Sequence, residues 1–405
     1  MKNSQNNTPS LRFPEFTEGW VMKKLGEVYT FKVTNSFSRD NLNYEKGEVK
    51  NIHYGDIHTK FQTLFDITKE NVPFINSEIS IQKISEDFYC KKGDLVFADA
   101  SEDLNDVGKS IEIVNLNNEK LLSGLHTLLA RPIENTFSLG FGGYLFKSQK
   151  VRLQIQKESQ GSKVLSISTG RMSNILLDIP SKPEQTKIAT FLTAVDEKLQ
   201  SLKKKKSLLE QYKKGVMQKL FAQEIRFKNT EGGDFEAWEV KKLGNCLDYI
   251  QPTKYLVESI EYDDKYSVPV LTAGKTFVLG YTNEINGIFN ENLPVIIFDD
   301  FTTATQFVDF PFKAKSSAMK ILIAKEGVNI KFIYETMQIM NYEIGGHERH
   351  WISKFTQIEI NFPSLAEQTQ IANFLSAIDA KIKQTDLQIA KTEQWKRGLL
   401  QQMFV

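Results

Sequence analysis

The sequence predicts an α+β protein: two tandem mixed α/β domains, each followed by a long helix, the two helices forming an antiparallel coiled coil with pseudo-twofold symmetry. Three observations predict it. PSKPEQTKIATFLTAVDEKL, starting at Pro180, returns from Pro363 as PSLAEQTQIANFLSAIDAKI, so a long helical stretch occurs twice. A shorter opening element also occurs twice: LRF at 11–13 with EGWVMKKLGEV at 18–28 returns as IRF at 225–227 with EAWEVKKLGNC at 236–246. Between these ends lie strand-like runs that follow one another without βαβ alternation.

In chain order, residues 1–10 are expected to be a flexible polar tail, with no apolar run of the kind that a secretion signal or anchor needs. Residues 11–180 are the first domain. Gly93-Asp94 leads into LVFADAS, then KSIEIVNL and KLLSGLHTLLARP, all strand-like. A helical pattern follows over 141–155 with Leu145, Phe146 and Leu153, then a glycine loop at 161–163 and a strand ending in Ile-Pro. Residues 181–222 are the first spacer helix. The second domain, 223–363, repeats this rhythm with PVIIFDDF, AMKILIAKE, a helical pattern over 330–344 with Ile333, Met337 and Met340, a loop at Gly345-Gly346 and a strand ending in Phe-Pro. Residues 364–405 are the second spacer helix.

Each long helix carries its own start signal. Ser181 and Ser364 are each followed three residues later by a glutamate, Glu184 and Glu367, the spacing of a capping box. Pro183 falls in the first turn, where its missing N–H is harmless. Apolar residues then recur at steps of four and three: Ile188, Leu192, Val195, Leu199, Leu202 and Leu209 in the first copy, continuing to Val216 and Leu220. The second gives Ile371, Leu375, Ile378, Ile382, Ile389 and Leu399, then Met403. That is a coiled-coil seam in both halves. About forty helical residues extend roughly 60 Å at 1.5 Å per residue, the dimension of a spacer. Lys203–Lys206 on the first helix reads as a solvated face, with phosphate contact as the alternative.

The 405 residues carry a formal net charge of +1, so any nucleic-acid face must be local or shared with another subunit. Two cysteines, Cys90 and Cys246, are too few for a disulfide scaffold or a zinc knuckle and suit a reducing cytoplasm. The longest apolar runs have strand length, so no membrane span is expected. Catalytic signatures are missing. GKS at 108–110 and GKT at 274–276 lack the leading glycine of a phosphate loop, since Asp103 and Pro269 stand there. His347 and His350 are one residue short of a zincin pair and read as loop residues at a surface. His53, His58 and His126 have no nucleophile at a recognisable spacing, which leaves packing or hydrogen bonding as their role. No G-x-S-x-G elbow and no Asn-Pro-Pro-aromatic motif occurs.

Taken together, the Trp–Leu–Gly openings at Trp20 and Trp238, the Pro-x-x-x-Glu-Gln starts at Pro180 and Pro363, the Phe-Leu-x-x-x-Asp runs at Phe191 and Phe374, and the Lys-x-Gly near Gly215 and Gly398 resemble the specificity (S) subunit of type I restriction–modification systems. The resemblance covers nearly the whole chain. It implies two target-recognition domains, each reading one half of a bipartite double-stranded DNA target, with spacer helices that set the gap. It implies a non-catalytic chain with no cofactor of its own. Two modification subunits would bind S-adenosylmethionine and methylate adenine, which must leave the base stack for that chemistry. Restriction subunits with ATP- and Mg-dependent translocase and nuclease activity can join them.

Recognition would then fall to the two divergent middles. In the first, His58, Lys60, Lys91, Lys92, Ser101, Lys163 and Arg171 are candidates for a mixture of base and phosphate contacts. In the second the candidates are Lys254, Tyr255, Lys275, Thr302, Thr303, Thr305, Lys315 and Arg349. A solvated surface role is the alternative at each. Two other classes compete: a coiled-coil adaptor that scaffolds partners without reading DNA, consistent with the near-neutral charge, and a self-contained methyltransferase or nuclease, which the missing motifs disfavour.

Overall fold

The computed structural model describes residues 8–133, 136–272, 274, 276–340 and 350–405. Lys275, Gly345, Gly346, His347 and Arg349 lie outside the described residues. Contacts divide the chain into two units: Met1–Lys203 with Leu387–Val405, and Lys204–Asp386. The first long helix, Lys182–Phe221, and the second, Leu365–Gln402, each give one half to each unit.

Unit one is built on a five-stranded sheet in the order Tyr29–Lys32, Thr127–Pro132, Leu95–Ala98, Ser110–Asn115, Leu64–Asp66. Leu95–Ala98 is buried at all four positions, as a central strand with two covered faces requires. Its alternate side chains serve different cores. Leu95 and Phe97 join Phe141, Phe146 and Leu192, whereas Val96 and Ala98 join Ile52, Ile57 and Phe65. A second sheet orders Lys120–Ser123, Val49–Ile52, Phe74–Ile75 and Leu42–Asn43. The helical pattern over 141–155 is interrupted: Phe141–Leu145 and Gln149–Glu158 are separate helices, and Ser148 between them is extended. The break resets the helical frame, so Val151 and Ile155 face the core while Leu153 is 56% exposed.

Unit two repeats the frame with its own residues. Its four-stranded sheet runs Leu247–Ile250, Met319–Ala324, Val295–Asp299, Thr305–Val308. Ile296 and Phe298 face the long helices, and Val295 and Ile297 face a second core with Leu271 and Phe289. A three-stranded sheet orders Val278–Thr282, Val268–Leu271 and Lys313–Ala314. In both units the opening motif pairs antiparallel with the strand before the long helix: Val21–Lys24 with Leu176–Ile179, and Glu239–Lys242 with Glu359–Phe362.

The glutamates expected in capping boxes do other work. Glu184 is buried and accepts from Arg12 Nε at 2.7 Å and Nη2 at 2.8 Å, and from Trp20 Nε1 at 3.2 Å. Glu367 does the same with Arg226 Nε at 3.0 Å, Arg226 Nη2 at 2.7 Å and Trp238 Nε1 at 2.9 Å. A buried carboxylate needs a charged partner more than a helix end needs a second cap, and each opening motif supplies one. The following glutamines also act as twins. Gln185 accepts from Ser138 N–H and donates to Pro180 O, and Gln368 accepts from Asn329 N–H and donates to Pro363 O.

Within each unit the two long helices meet in opposite directions. In unit one Asp196 pairs with Lys396 at 2.5 Å and Lys203 with Glu393 at 2.8 Å. In unit two Lys206 pairs with Asp386 and Lys213 with Asp379, both at 2.7 Å. Of the seam residues, Ile188, Leu192, Val195, Leu202, Ile371, Leu375, Ile378 and Leu399 are buried. Leu199, Leu209, Ile382 and Ile389 are half-buried, and buried Thr385 stands in the second helix's seam. Most of the buried set also packs into a domain core.

Candidate nucleic-acid interface

In unit one the short helix Tyr54–Thr59 organises the polar surface. His53 caps it: its Nδ1 accepts from Gly55 N–H at 3.1 Å and from Arg39 Nη2 at 3.0 Å. Both partners are donors, so Nδ1 carries no proton, and burial together with Arg39 holds the imidazole below its usual pKa. Asp56 lies beneath with 1% of its side chain exposed, bound by Arg39 at 2.8 Å and 3.1 Å and by Lys60 at 2.8 Å. Burial pushes that carboxyl up, but the hydrogen bonds from Arg39 and Lys60 outweigh it and hold it below the usual range.

Tyr54 is the hub of the cluster. Its ring lies 4.6 Å from that of His53, 5.9 Å from His58 and 5.4 Å from His126. His58 Nε2–H donates to Ala100 O at 3.2 Å, which ties the helix to the strand Ala100–Ser101. His126 Nδ1 stands 3.3 Å from Asp99 Oδ1. Burial raises the Asp99 carboxyl above its usual pKa, against the pull of His126.

The structure brings His58, Lys60 and Ser101 to this face. Lys163 precedes the strand Leu165–Ser166, which pairs with Ala100–Ser101, so it borders the same region as an exposed residue. Lys91 and Lys92 lie elsewhere: Lys91 is 3.5 Å from Asp87, itself paired with Lys32 and Arg131. Arg171 is tied to Glu158 at 3.2 Å. Lys92 and Lys163 have no ion pair among the described residues.

In unit two Lys254, Tyr255 and Lys315 come together beside the strand Lys313–Ala314. Lys254 is exposed on the 3-10 turn Pro252–Tyr255, and Lys315 Nζ lies 5.6 Å above the ring of Tyr262. Tyr255 is a packing residue, edge-on to Phe289 at 4.9 Å. Thr302, Thr303 and Thr305 belong to a different place, the turn between Val295–Asp299 and Thr305–Val308. Thr302 stays exposed, and Thr305 Oγ1 accepts from Gln338 at 2.8 Å. Thr303 is only 4% exposed, with its hydroxyl on Thr302 O, so it cannot meet a base edge. His350 also departs from expectation. It is buried at the start of the helix His350–Ser353, its N–H on Asp300 O at 3.0 Å, because the turn after Asp299 needs a donor there.

Sequence reasoning singled out neither Arg39 nor Tyr54, and gave His126 only packing or hydrogen bonding as its role. Tyr54 and His58 stand four apart, the spacing that puts both on one helical face, and that signal was available. Nothing local links them to Asp99 or His126. Among the described residues no group of His, Cys, Asp and Glu could hold a metal, and no helix is long and apolar enough to cross a membrane.

A family model described as "Type I restriction modification DNA specificity domain" matches residues 17–211 and again 236–392. The specificity subunit of the type I restriction enzyme EcoR124I/EcoR124II of Escherichia coli is 48% identical over 150 residues, a match that spans 34% of this chain and 37% of that protein's length. The putative type I restriction enzyme MjaX specificity subunit of Methanocaldococcus jannaschii is 26% identical over 407 residues, covering 94% of this chain and 91% of that one. In fold, the crystal structure of a type I restriction–modification system S subunit from M. genitalium superposes with a TM-score of 0.66 at 14% identity, over 98% of this chain and 99% of that one.

Proposed function

Because the chain belongs to the type I restriction–modification DNA specificity family, we propose that it is the non-catalytic address-reading subunit of such an enzyme. Each domain, residues 11–180 and 223–363, reads one half of a bipartite double-stranded DNA target. The helices, residues 181–222 and 364–405, set the gap and dock two modification subunits. Methylation with S-adenosylmethionine, and any ATP- and Mg-dependent cleavage by restriction subunits, reside in those partners.

One observation carries the reading: the frame repeats and the polar faces do not. Arg12, Trp20 and Glu184 have twins in Arg226, Trp238 and Glu367. The Tyr54 cluster has no twin among the described residues of unit two, where Lys254 and Lys315 are set among tyrosines instead. Two unlike readers on one scaffold are what an asymmetric split target requires.

The test is selection from a random DNA library by the chain assembled with its modification partner, at several salt concentrations. Two short fixed sequences separated by a constant gap are expected. No enriched sequence, or one uninterrupted site, would defeat the proposal.

A further inference from the structure

The cluster around Tyr54 is assembled from chain segments that have no local reason to meet. The helix Tyr54–Thr59, the strand end at Asp99–Ala100 and the turn that carries His126 converge there, bringing together three of the chain's five histidines.

The turn is held hard. His126 has φ of +54°, a left-handed backbone that costs a non-glycine residue and persists only where its surroundings impose it. Its carbonyl accepts from Asp99 N–H at 3.0 Å, and Gly124 N–H donates to Ile52 O at 2.9 Å. A Cβ at Gly124 would stand 2.4 Å from that same oxygen, so the turn is pressed onto the strand Val49–Ile52. Strained backbone of this kind clusters at functional sites, and here it holds a side chain that is 52% exposed.

The cations beside the cluster are about as exposed as His126, Arg39 at 42% and Lys60 at 52%, but they are tethered to a carboxylate. Arg39 forks onto Asp56, and Lys60 bonds the same carboxylate. One carboxylate between two cations leaves a net positive charge, but both cations are tethered to it, and Asp56 with Arg39 and His53 forms a brace beside Tyr54. Beside these cations stand the half-buried phenol of Tyr54 and the exposed imidazole of His126, rigid groups that can donate, accept and stack.

We propose that Tyr54 and His126 are specificity-determining residues of unit one, contacting base edges in one half of the DNA target, with His58 and the Arg39–Asp56 pair as positioning residues. This rests on the DNA-specificity reading above. It differs from the sequence expectation in moving base reading from Lys60 and Ser101 to an aromatic and histidine face.

The experiment repeats the library selection with the full chain and its modification partner, comparing wild type, Tyr54→Ala, His126→Ala and His126→Asn. Asparagine tolerates the left-handed backbone better than alanine does, so it separates loss of the imidazole from disturbance of the turn. Each variant is expected to lose about tenfold or more of its base preference at one or two adjacent positions in one half-site. The other half-site should stay intact, which also shows that the protein is folded, and the salt slope should not change because no phosphate-binding cation is removed. Unchanged preferences at both halves, against a wild type that selects a split site, would overturn the inference and leave the family reading standing. Equal loss at both halves would overturn it too, because the residues would then serve folding or assembly. A wild type that selects nothing would instead sink the reading on which it rests.

Discussion

Asp196 on the first long helix lies 2.5 Å from Lys396 on the second, and Asp379 on the second lies 2.7 Å from Lys213 on the first. The aspartates end the repeated Phe-Leu-x-x-x-Asp runs, and the lysines begin the repeated Lys-x-Gly. Each copy's acid therefore bonds the other copy's base, once in each unit. In unit one Tyr144 OH also donates to Asp196 at 3.0 Å. In unit two Lys331 and the fully buried Glu335 extend the pair into a four-membered network, Lys331 reaching Glu335 and Asp379 at 2.7 Å each.

The two pairs should differ in what their loss costs. Lys396→Met leaves Asp196, 17% exposed, with only neutral donors, and about 1–3 kcal/mol of unit-one stability is expected to go with it. Lys213→Met leaves Asp379 and Glu335 still shared by Lys331, so the loss should be smaller. Denaturant unfolding of single and double variants, read as a double-mutant cycle, measures both couplings. Equal couplings would show that Lys331 does not substitute for Lys213.

The Arg226–Glu367 pair gives a sharper contrast inside one site. Arg226→Met strips the ion pair from a carboxylate with 1% of its side chain exposed, and a loss of about 3–5 kcal/mol is expected. Trp238→Phe keeps the ion pair and removes one hydrogen bond, so about 1 kcal/mol is expected for the bond itself. Thermal unfolding of the two variants decides between them. A tryptophan variant as damaged as the arginine variant would mean that the indole, not the charge, secures the opening motif.

The duplication made the frame legible in the sequence: long helices, their seams and opening motifs all leave a trace when a sequence repeats itself. The capping-box reading failed for a physical reason. Ser181 and Glu184 satisfy a local rule, but Arg12 sits 172 residues away and a charge outbids a cap in a dry site. The candidate interface was less legible still. Thr303 and His350 look like surface groups by type and are buried by tertiary packing, while Tyr54 and His126 meet only because two separate chain segments are folded together. Polar chemistry can be read from letters. Where a polar side chain points cannot.

Both long helices pass from one unit into the other, so an insertion at Lys203/Lys204 in the first helix and at Asp386/Leu387 in the second leaves each unit's own residues intact. One heptad adds about 10 Å at 1.5 Å per residue and keeps the seam in register. On the proposed function, the gap between selected half-sites should lengthen by about three base pairs at 3.4 Å each, with both half-site sequences kept. An unchanged gap would show that the helices do not set it.

Glu112 supplies a prediction about pH. It is buried within the strand Ser110–Asn115, and its two oxygens accept Gly140 N–H and Gly143 N–H at 2.6 Å each. Burial pushes the carboxyl up from 4.5 to about 7, against the pull of those two bonds. A carboxyl whose folded pKa is raised binds its proton more tightly in the native state, so its contribution to stability is full below about 4.5 and is lost as pH rises through about 7. The unfolding midpoint of unit one should therefore fall as pH rises across that window. Glu112→Gln should be less stable by about 1–3 kcal/mol, because its amide turns an N–H toward a glycine N–H, but its midpoint should vary less with pH over the same range. Asp379 acts in the opposite sense. Burial raises it, but the bonds from Lys213 and Lys331 outweigh burial and hold it below 3.8, so its contribution to unit two is full above that value and is lost only in acid. Following both units by site-specific hydrogen exchange from about pH 4 to pH 8 separates the two. A wild type and a Glu112→Gln variant with parallel pH profiles in unit one would show that this carboxyl is ionised throughout, held by its two backbone donors against the cost of burial.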